Sequence, residues 1–280
     1  MTHEQHADIG VIGGSGFYTF LDDPIEVDVP TPYGPPSDPV SIGVVSGVVG
    51  TGSGKHEQAE RRVAFLPRHG RDHRFAPHQV NYRANLWALR SLGVRQVLAP
   101  SAVGSLRPEL GPGTFVVPDQ LIDMTSGRPR TLYDTDPPVV HVSLADPYCP
   151  RGRATVVAAG DDLVDGGALV VINGPRFSTR AESRMYAGFG GSVVGMTGMP
   201  EATIARELAL CYTCVAAVTD LDAGVEAGQG VTHANVLEVF AANVDRLRTL
   251  MVTAILTLPT DDECTCRHAL DGLPLPFELP

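Results

Sequence analysis

Hydroxyl and cationic side chains follow four apolar runs of the sequence, at the points where those runs stop. They are Ser15, Arg68, His69, Ser101 and Thr197. Hydroxyls donate hydrogen bonds, and the planar guanidinium of arginine matches the oxygen atoms of a phosphate. Ligands collect beyond the carboxyl ends of strands in α/β proteins. Together these residues therefore predict a phosphate site, while each alone also fits an ordinary turn or a surface ion pair.

Two carboxylates end another apolar run. Asp220 and Asp222 alternate along the chain, and residues spaced in this way share one face of a strand. If the backbone bends so that both face one pocket, they resist joint ionisation, and the pKa of one rises towards the range of a general acid. The residues alone leave recognition of a ligand and capping of a helix equally open.

Two familiar nucleotide-binding motifs are incomplete in this chain. The glycine-rich turn around Ser15 lacks the third glycine of a dinucleotide fingerprint, because Thr19 occupies that position. The segment Gly47–Arg61 resembles an ATP-binding loop, but Val49 stands where glycine is required and His56 where serine or threonine is required. These failures argue against a dinucleotide-dependent oxidoreductase. Gly47–Arg61 is predicted to be a surface loop, either the tip of a hairpin or an insertion.

The chain has five cysteines, and its N-terminus lacks the basic and apolar regions of a signal peptide. An odd number without such a signal favours reduced, buried thiols in a cytoplasmic protein. Cys211 and Cys214 have the spacing of a redox motif but adjoin an apolar strand, so they are interpreted as structural thiols. Cys264, Cys266 and His268 offer three metal ligands where a structural zinc takes four, so no metal site is predicted.

Composition excludes several classes of protein. Of 280 residues, 43% are hydrophobic and 19% are charged, and the formal net charge is −11. So acidic a chain is a poor non-specific partner for nucleic acid or an anionic membrane. No apolar run approaches the ~20 residues of a transmembrane helix. The expected ligands are therefore small molecules held in a local pocket.

Short apolar runs alternate with helical patterns along the chain. The predicted strands are 9–12, 40–45, 63–66, 96–99, 114–117, 168–172, 192–194 and 214–218, and the predicted helices are 79–92, 200–209 and 233–256. This alternation predicts an α/β fold, a single domain over residues 1–280 with a central mixed β-sheet flanked by helices. Residues 123–146 are predicted to be a long functional loop, and residues 259–280 a C-terminal tail that docks onto a neighbour.

Eight motifs appear in order: GGSGFY, PRHG, NYRANLWALR, SAVGSL, DQLIDMTSG, NGPRFSTRAE, GMTGMPEATIARE and TDLDAG. With them the chain resembles the trimeric nucleoside phosphorylases, and among these the methylthioadenosine phosphorylase branch, from about Gly10 to Leu256. The resemblance implies the nucleoside phosphorylase fold, a pentosyltransferase acting on purine nucleosides, and a homotrimer. It implies no cofactor, since orthophosphate is a co-substrate.

The resemblance also implies roles for individual residues. Phosphate would bind Ser15, Arg68, His69, Ser101 with the Ala102 backbone, and Thr197, and the nucleoside would contact Phe177, Met196, Asp220 and Asp222. Specificity would depend on Ser178, His233, Val236, Leu237 and His141, the last lent by the adjacent subunit to the 5′ end of the sugar. Asp220 would be the catalytic acid that protonates or hydrogen-bonds N7 of the leaving purine.

The paired carboxylates favour a 6-amino purine, because a carboxylate accepts from an amino group and repels a 6-oxo group. We expect a phosphorylase for methylthioadenosine or a related adenine nucleoside. The alternatives are a 6-oxopurine nucleoside phosphorylase, a phosphorylase for another 5′-modified adenosine, and a non-catalytic nucleoside-binding module. Gly195 replaces an asparagine typical of the methylthioadenosine branch, and His233 replaces an apolar residue. His233 is interpreted either as the start of the last helix or as a ligand of a polar 5′ group.

Overall fold

The computed structural model describes residues 5–50, 56–134, 137–223, 225, 232–261 and 263–280. The strands are β1 Ile9–Gly13, β2 Ile25–Val27, β3 Val40–Gly50, β4 His56–Pro67, β5 Gln96–Ser105, β6 Phe115–Val117, β7 Gln120–Asp123, β8 Leu163–Asp165, β9 Ala168–Val171, β10 Gly191–Gly195 and β11 Cys211–Leu221. The helices are α1 Tyr82–Ser91, α2 Pro150–Ala158, α3 Arg180–Gly188, α4 Gly198–Glu207 and α5 His233–Thr257, followed by a 3₁₀ helix at Thr265–His268.

One mixed sheet contains the 11 strands of the described residues. Its main path is β2-β3-β4-β1-β5-β10-β9-β7, and β11 pairs with both β5 and β6. β1 lies parallel to both β4 and β5, and β11 lies parallel to β5. The carboxyl ends of these four strands therefore point in one direction. The predicted α/β class, with a mixed central sheet and flanking helices, is confirmed.

Apolar strands and one long helix form the core beneath these strand ends. β1 is buried at every position, as expected for a strand that is covered on both faces. α5 packs Phe240, Leu247 and Met251 against Phe17 and Val63 in one hydrophobic cluster. These helix residues recur at intervals of seven and four, which places them on one face. Within the described ranges, no helix combines the length and the apolarity that crossing a bilayer requires.

The segment Gly47–Arg61 belongs to a hairpin, one of the two forms predicted for it, but most of its described residues are paired strand and not loop. Gly47–Gly50 continues β3 and His56–Arg61 begins β4, and the two strands pair antiparallel, while residues 51–55 lie outside the described residues. Valines such as Val48 and Val49 favour extended structure and outweigh the glycines between them. The described strands β3 and β4 therefore pair as the two arms of a hairpin.

The helices α2 and α3 are not among the predicted helices. In α2 the apolar residues Val156 and Val157 are adjacent, so no helical spacing marks a buried face. α3 begins with a capping box in which the side chains of Thr179 and Glu182 satisfy each other's backbone N–H groups. This Thr-x-x-Glu pattern is visible in the sequence and predicts a helix start.

The C-terminal segment packs on its own chain. Phe277 lies with its ring centroid 5.8 Å from Trp87 of α1 and 5.3 Å from Tyr133, and Leu275 and Leu279 contact the same core. The predicted docking of the C-terminal leucine and phenylalanine residues therefore takes place on the core of the same chain.

Candidate active site

A cavity of about 450 Å³ lies at the carboxyl ends of the parallel strands. β1 ends at Gly13 just before Ser15, and β4 ends at Pro67 just before Arg68 and His69. Thr197 precedes α4 as its N-cap, but its hydroxyl makes no capping hydrogen bond. These four side chains line the cavity, so the sheet brings distant parts of the sequence to one place.

Ser101 and Ala102 reach the cavity from within a strand and not from its end. The predicted strand stops at Ala99, but β5 continues well beyond it. β1 pairs with β5 only as far as Leu98, and β10 joins β5 only at Gly104. Between these points no described strand pairs with this edge of β5, so its backbone is open to the cavity.

Arg68 is a fixed, charged donor. Its Nε and Nη2 donate to the two carboxylate oxygens of Glu201 at 2.7 and 2.8 Å, and its Nη1 donates to the Pro100 carbonyl at 3.3 Å. The Tyr212 hydroxyl donates to the same carboxylate at 2.7 Å. Burial opposes the charge on Arg68, but Glu201 outweighs burial and holds the pKa of Arg68 above its usual range. Since arginine has about five N–H groups, some remain for a ligand.

Gly14 allows Arg68 to approach β5. A Cβ atom at this position would lie 2.9 Å from the Pro100 carbonyl oxygen and 3.1 Å from Nη1 of Arg68. A side chain there would force the guanidinium away from the strand. The glycine-rich turn is thus required by close packing around Arg68, whether or not its own N–H groups bind an anion.

His69 is neutral at neutral pH. Burial, and after it the charge of Arg68, lowers the pKa of His69 to about 4. Its Nδ1 lies 2.8 Å from the Phe75 carbonyl, and because a carbonyl only accepts, Nδ1 must carry the hydrogen. Nε2 is therefore an acceptor, which suits a protonated phosphate oxygen.

A β-bulge turns the end of β11 towards the cavity. The register between β11 and β5 shifts between Val218 and Asp220, which leaves Thr219 as the extra residue. Asp220 and Asp222 both line the cavity, so the bend on which the sequence argument depended is present. A Cβ atom at Gly104 would lie 3.0 Å from Oδ1 of Asp220, so this glycine makes room for the carboxyl group.

The Asp220 carboxyl is well placed to hold a proton. Burial, partly offset by a hydrogen bond from Thr219 and reinforced by the charge of Asp222, raises the pKa of Asp220 to about 6. The single hydroxyl hydrogen of Thr219 has two acceptors within reach, Asp220 Oδ2 at 2.8 Å and the Val103 carbonyl at 3.2 Å. A protonated Asp220 removes this competition, because it can donate to Thr219 while Thr219 donates to Val103.

Three buried polar groups at this end of the cavity lack a hydrogen-bond partner among the described residues. They are Oδ2 of Asp222 and the hydroxyls of Ser178 and Ser183. Burial raises the pKa of Asp222, and the two nearby hydroxyls lower it, so the groups are close without reaching hydrogen-bond geometry. A buried polar atom without a partner costs about 1–3 kcal/mol. A ligand in the cavity can supply partners to Asp222 and Ser178, which line it.

Histidines line a third side of the cavity. His73 stacks on His69 with ring centroids 4.6 Å apart, and the ring of His233 lies 6.1 Å from His73. The Tyr18 hydroxyl and Nδ1 of His73 form a hydrogen bond of 2.8 Å. Burial, and after it His233, lowers the pKa of His73. Val236 of α5 adds apolar surface on this side.

The structure brings 13 of the 15 predicted site residues to this cavity. They are Ser15, Arg68, His69, Ser101, Ala102, Phe177, Ser178, Met196, Thr197, Asp220, Asp222, His233 and Val236. His233 begins α5 and also lines the cavity, so its role as a ligand of a polar 5′ group stays a prediction. Leu237 is 38% exposed and is not part of the lining. One helical step turns its side chain by about 100° from that of Val236, so its predicted place in the pocket is wrong within this chain. His141 is exposed and also lies outside the lining.

Sequence reasoning misses the residues that hold the ligand-facing groups in place. Glu201 follows a proline in a first helical turn, which suggests an interaction with the helix dipole, yet its carboxylate binds Arg68 instead. No local signal reveals a partner that lies 133 positions away. Thr219 and His73 stand beside predicted residues, but only the bulge and the ring stacking show what they do.

Four cysteines meet away from the cavity. The Sγ atoms of Cys149, Cys211, Cys264 and Cys266 lie within 4.8 Å of one another, and all four side chains are buried. The count of three possible metal ligands is therefore corrected. His268 is not among them, since it hydrogen-bonds Asp271 at the surface, and the other thiols come from α2 and β11. Cys214 belongs to the main core.

Comparisons with known proteins agree with this geometry. The sequence pattern of the phosphorylase superfamily matches residues 8–257. The chain belongs to the phosphorylase superfamily. It is 58% identical over 293 residues to a purine nucleoside phosphorylase of Streptomyces coelicolor, covering 100% of both chains. It is 56% identical over 275 residues to an S-methyl-5′-thioadenosine phosphorylase of Mycolicibacterium smegmatis, covering 97% of this chain and 99% of the relative.

A solved structure shows the same fold. The methylthioadenosine phosphorylase of Schistosoma mansoni in complex with adenine superposes with a TM-score of 0.82 at 36% identity, covering 91% of this chain and 93% of the other. The resemblance to nucleoside phosphorylases is thus confirmed, and so is the enzyme class, a pentosyltransferase of the purine nucleoside and methylthioadenosine phosphorylase type.

Proposed function

We propose that this enzyme uses orthophosphate to cleave the N-glycosidic bond of S-methyl-5′-thioadenosine or a closely related adenine nucleoside. The products are the free purine and a pentose 1-phosphate. One observation carries the proposal. The cavity holds a buried, charged Arg68 at one end of its β5 wall and a protonatable Asp220 at the other. These groups contact Pro100 and Gly104, which stand ~13 Å apart along an extended strand.

Phosphate binds at the Arg68 end. The free N–H groups of Arg68 and the hydroxyls of Ser15, Ser101 and Thr197 donate to its oxygens, and the open edge of β5 supplies the Ala102 amide. Nε2 of His69 accepts from a protonated phosphate oxygen. This set offsets the unfavourable field of a chain with a net charge of −11.

The base leaves at the Asp220 end. A phosphate oxygen forms a bond to C1′ from one face while the C1′–N9 bond breaks on the other, and its electron pair passes to the purine. The proton held on Asp220 moves to N7, so the purine leaves neutral. Such acid assistance contributes about 10²–10⁴-fold to a rate. Phe177 and Met196 pack against the base and the sugar, and the proposal needs no cofactor.

A 6-amino purine satisfies the polar groups around Asp222. Its amino group donates to the unpartnered Oδ2 of Asp222, and a ring nitrogen accepts from the Ser178 hydroxyl. A 6-oxo group in the same place would meet a carboxylate with no hydrogen to give. The adenine bound to the Schistosoma mansoni neighbour supports this preference by analogy.

The 5′ substituent faces the side of the cavity that carries His73, His233 and Val236. Val236 suits a thiomethyl group, whereas His233 suits a hydroxyl. Both are present, so we propose that adenosine is a slower second substrate. We further propose a cytoplasmic homotrimer in which His141 enters the neighbouring site. His141 is exposed on this chain, as a residue that is lent to a neighbouring subunit would be.

A phosphorolysis assay with methylthioadenosine, adenosine and inosine tests the proposal. We expect release of adenine only when phosphate is present, and a kcat/KM for methylthioadenosine at least ~10-fold above that for inosine. The matched variant is Asp222→Asn, which replaces an acceptor by a group that can also donate and should move the ratio towards inosine. Fastest turnover of inosine by the unmodified enzyme would rule out the 6-amino preference, and base release without phosphate would rule out phosphorolysis.

A further inference from the structure

A sealed group of thiols lies at the amino end of β11. Cys149 caps α2, Cys211 is the first residue of β11, and Cys264 and Cys266 belong to the 3₁₀ segment that follows α5. Each side chain is at most 4% exposed. The four form a cluster of their own, separate from the aliphatic core. Simple packing does not require four sulfur ligands from three distant segments.

The spacing of the sulfur atoms matches a tetrahedral metal site. All four Sγ atoms lie within 4.8 Å of one another, and those of Cys149 and Cys264 are 3.5 Å apart. A zinc ion with Zn–S bonds of ~2.3 Å places its sulfur ligands ~3.8 Å apart. A disulfide would instead bring two sulfur atoms to ~2.05 Å. Small side-chain shifts are therefore enough to bind a metal.

Hydrogen-bond donors and cationic side chains lie close to the sulfur atoms. The backbone N–H of Gly152 donates to Sγ of Cys149 at 3.3 Å, and Cys149 stands at the positive end of α2. The side chains of Arg151 and Arg267 line a small cavity of about 10 Å³ beside the thiols. Four thiolates around a divalent cation leave a net negative charge. The cationic side chain of Arg267 partly offsets it, whereas the charge of Arg151 is already paired with Asp261.

We propose that Cys149, Cys211, Cys264 and Cys266 bind one structural Zn²⁺ ion. Soft thiolate ligands in tetrahedral geometry select zinc, and a site with four protein ligands is closed to catalysis. The ion fastens the segment after α5 to α2 and β11. A bidentate pair between Arg151 and Asp261 and a 2.8 Å hydrogen bond from Gln96 to the Pro259 carbonyl already hold this segment close.

Metal content of the full chain tests this assignment. The protein is purified under reducing conditions from cells supplied with zinc, and its metals are measured by mass spectrometry. We expect about one zinc per chain, released when a mercurial reagent blocks the thiols. Replacement by Co²⁺ should give the visible absorption of a tetrahedral thiolate complex.

Cys266→Ser is the informative variant, and Cys214→Ser is its control. Cys214 is equally buried but lies in the main core. We expect the first variant to lose the zinc and the second to keep it. Cys264→Ser repeats the test at the edge of the segment should Cys266→Ser fail to fold.

Two results would overturn the assignment. One is a zinc-free protein whose intact mass shows that two or four hydrogens have been lost, because one or two disulfides have formed. The other is a zinc-free protein, after anaerobic reconstitution with Zn²⁺, in which all five cysteines react as free thiols on unfolding. Phosphorolysis is measured separately, so a failure here leaves the proposed function untouched.

Discussion

The two ends of β11 differ in whether the polar or thiol groups there have partners within the protein. At its carboxyl end, Asp220 and Asp222 line an open cavity, and Oδ2 of Asp222 has no partner among the described residues. At its amino end, ~30 Å away along the strand, Cys211 lies in a closed group of four thiols. The first end keeps polar groups unsatisfied so that a ligand can complete them. The second gathers ligand atoms that complete one another around an ion.

This contrast predicts that substitutions at the two ends of β11 affect activity and stability differently. Changes at the carboxyl end should reduce turnover and leave the fold intact or strengthen it, because unpartnered carboxyl groups are a cost to the empty protein. Changes at the amino end should loosen the C-terminal segment and leave turnover by the folded enzyme unaltered.

The largest effect should come from Asp220→Ala. Loss of the proton donor lowers kcat by about 10²–10⁴-fold, while the KM for phosphate stays nearly constant because that site is formed elsewhere. Steady-state kinetics with each substrate varied in turn measures both values. A large rise in the phosphate KM with an unchanged kcat would remove Asp220 from the leaving-group step. Cys211→Ala is the comparison from the other end of the strand, and its kcat should match the unmodified enzyme.

The buried pair of Arg68 and Glu201 should show the next largest effect. Arg68→Met leaves Glu201 buried without its partner, and removal of one partner of such a pair costs about 3–5 kcal/mol in the free energy of unfolding. The double variant Arg68→Met/Glu201→Gln removes the charge but keeps an acceptor for Tyr212, so part of the stability should return.

The dependence of the rate on phosphate concentration distinguishes phosphate binding by Arg68 from its structural pairing with Glu201. If Arg68 binds phosphate, the double variant recovers stability in chemical denaturation while its phosphate saturation remains poor. Recovery of both properties together would show that Arg68 acts only through its structural pair.

A smaller effect is expected from the pH dependence of stability. Asp220 has its pKa raised to about 6 in the folded protein, so its contribution is fully present below the unfolded pKa of ~3.9 and is lost as the pH rises through 6. Asp220→Asn avoids this loss, and at pH 7 it should be more stable than the unmodified protein by ~2–3 kcal/mol. Denaturation from pH 4 to pH 7 measures the difference.

The stability of Asp220→Asn has to be compared with that of the unmodified protein, because the titration of His69 changes stability with pH in the opposite direction. Its pKa is lowered to about 4, so its contribution is present above ~6.5 and is lost as the pH falls towards 4. The two trends partly cancel in either protein alone. A constant stability difference between Asp220→Asn and the unmodified protein over this range would contradict the raised pKa of Asp220.

The smallest effect should be a change of preference. His233→Val removes a polar group near the 5′ substituent and should raise the ratio of kcat/KM for methylthioadenosine over adenosine by roughly 10-fold, about the worth of one lost hydrogen bond. Competition between the two nucleosides in one assay measures the ratio directly. An unchanged ratio would limit His233 to starting α5.

The sequence predicts the site better than it predicts the boundaries of the fold. Arg68, His69 and Asp220 are recognisable because their chemistry is unusual after apolar runs, and α5 is recognisable from its spacing. The partner of Arg68, the bulge at Thr219 and the meeting of four thiols are not recognisable, because each depends on contacts between segments far apart in the chain. A hairpin tip at Gly47–Arg61 is recognisable, but the length of its strands is not, because the glycines of this segment suggest a loop when their strand partners are unknown.

The stacking of Phe277 on Trp87 has a practical consequence. Trp87 is the only tryptophan in the sequence, and its ring also meets Tyr33 edge-on, with centroids 5.5 Å apart. Indole fluorescence of the whole enzyme therefore originates at one location. A red shift in emission would report that the last residues have lifted away from α1.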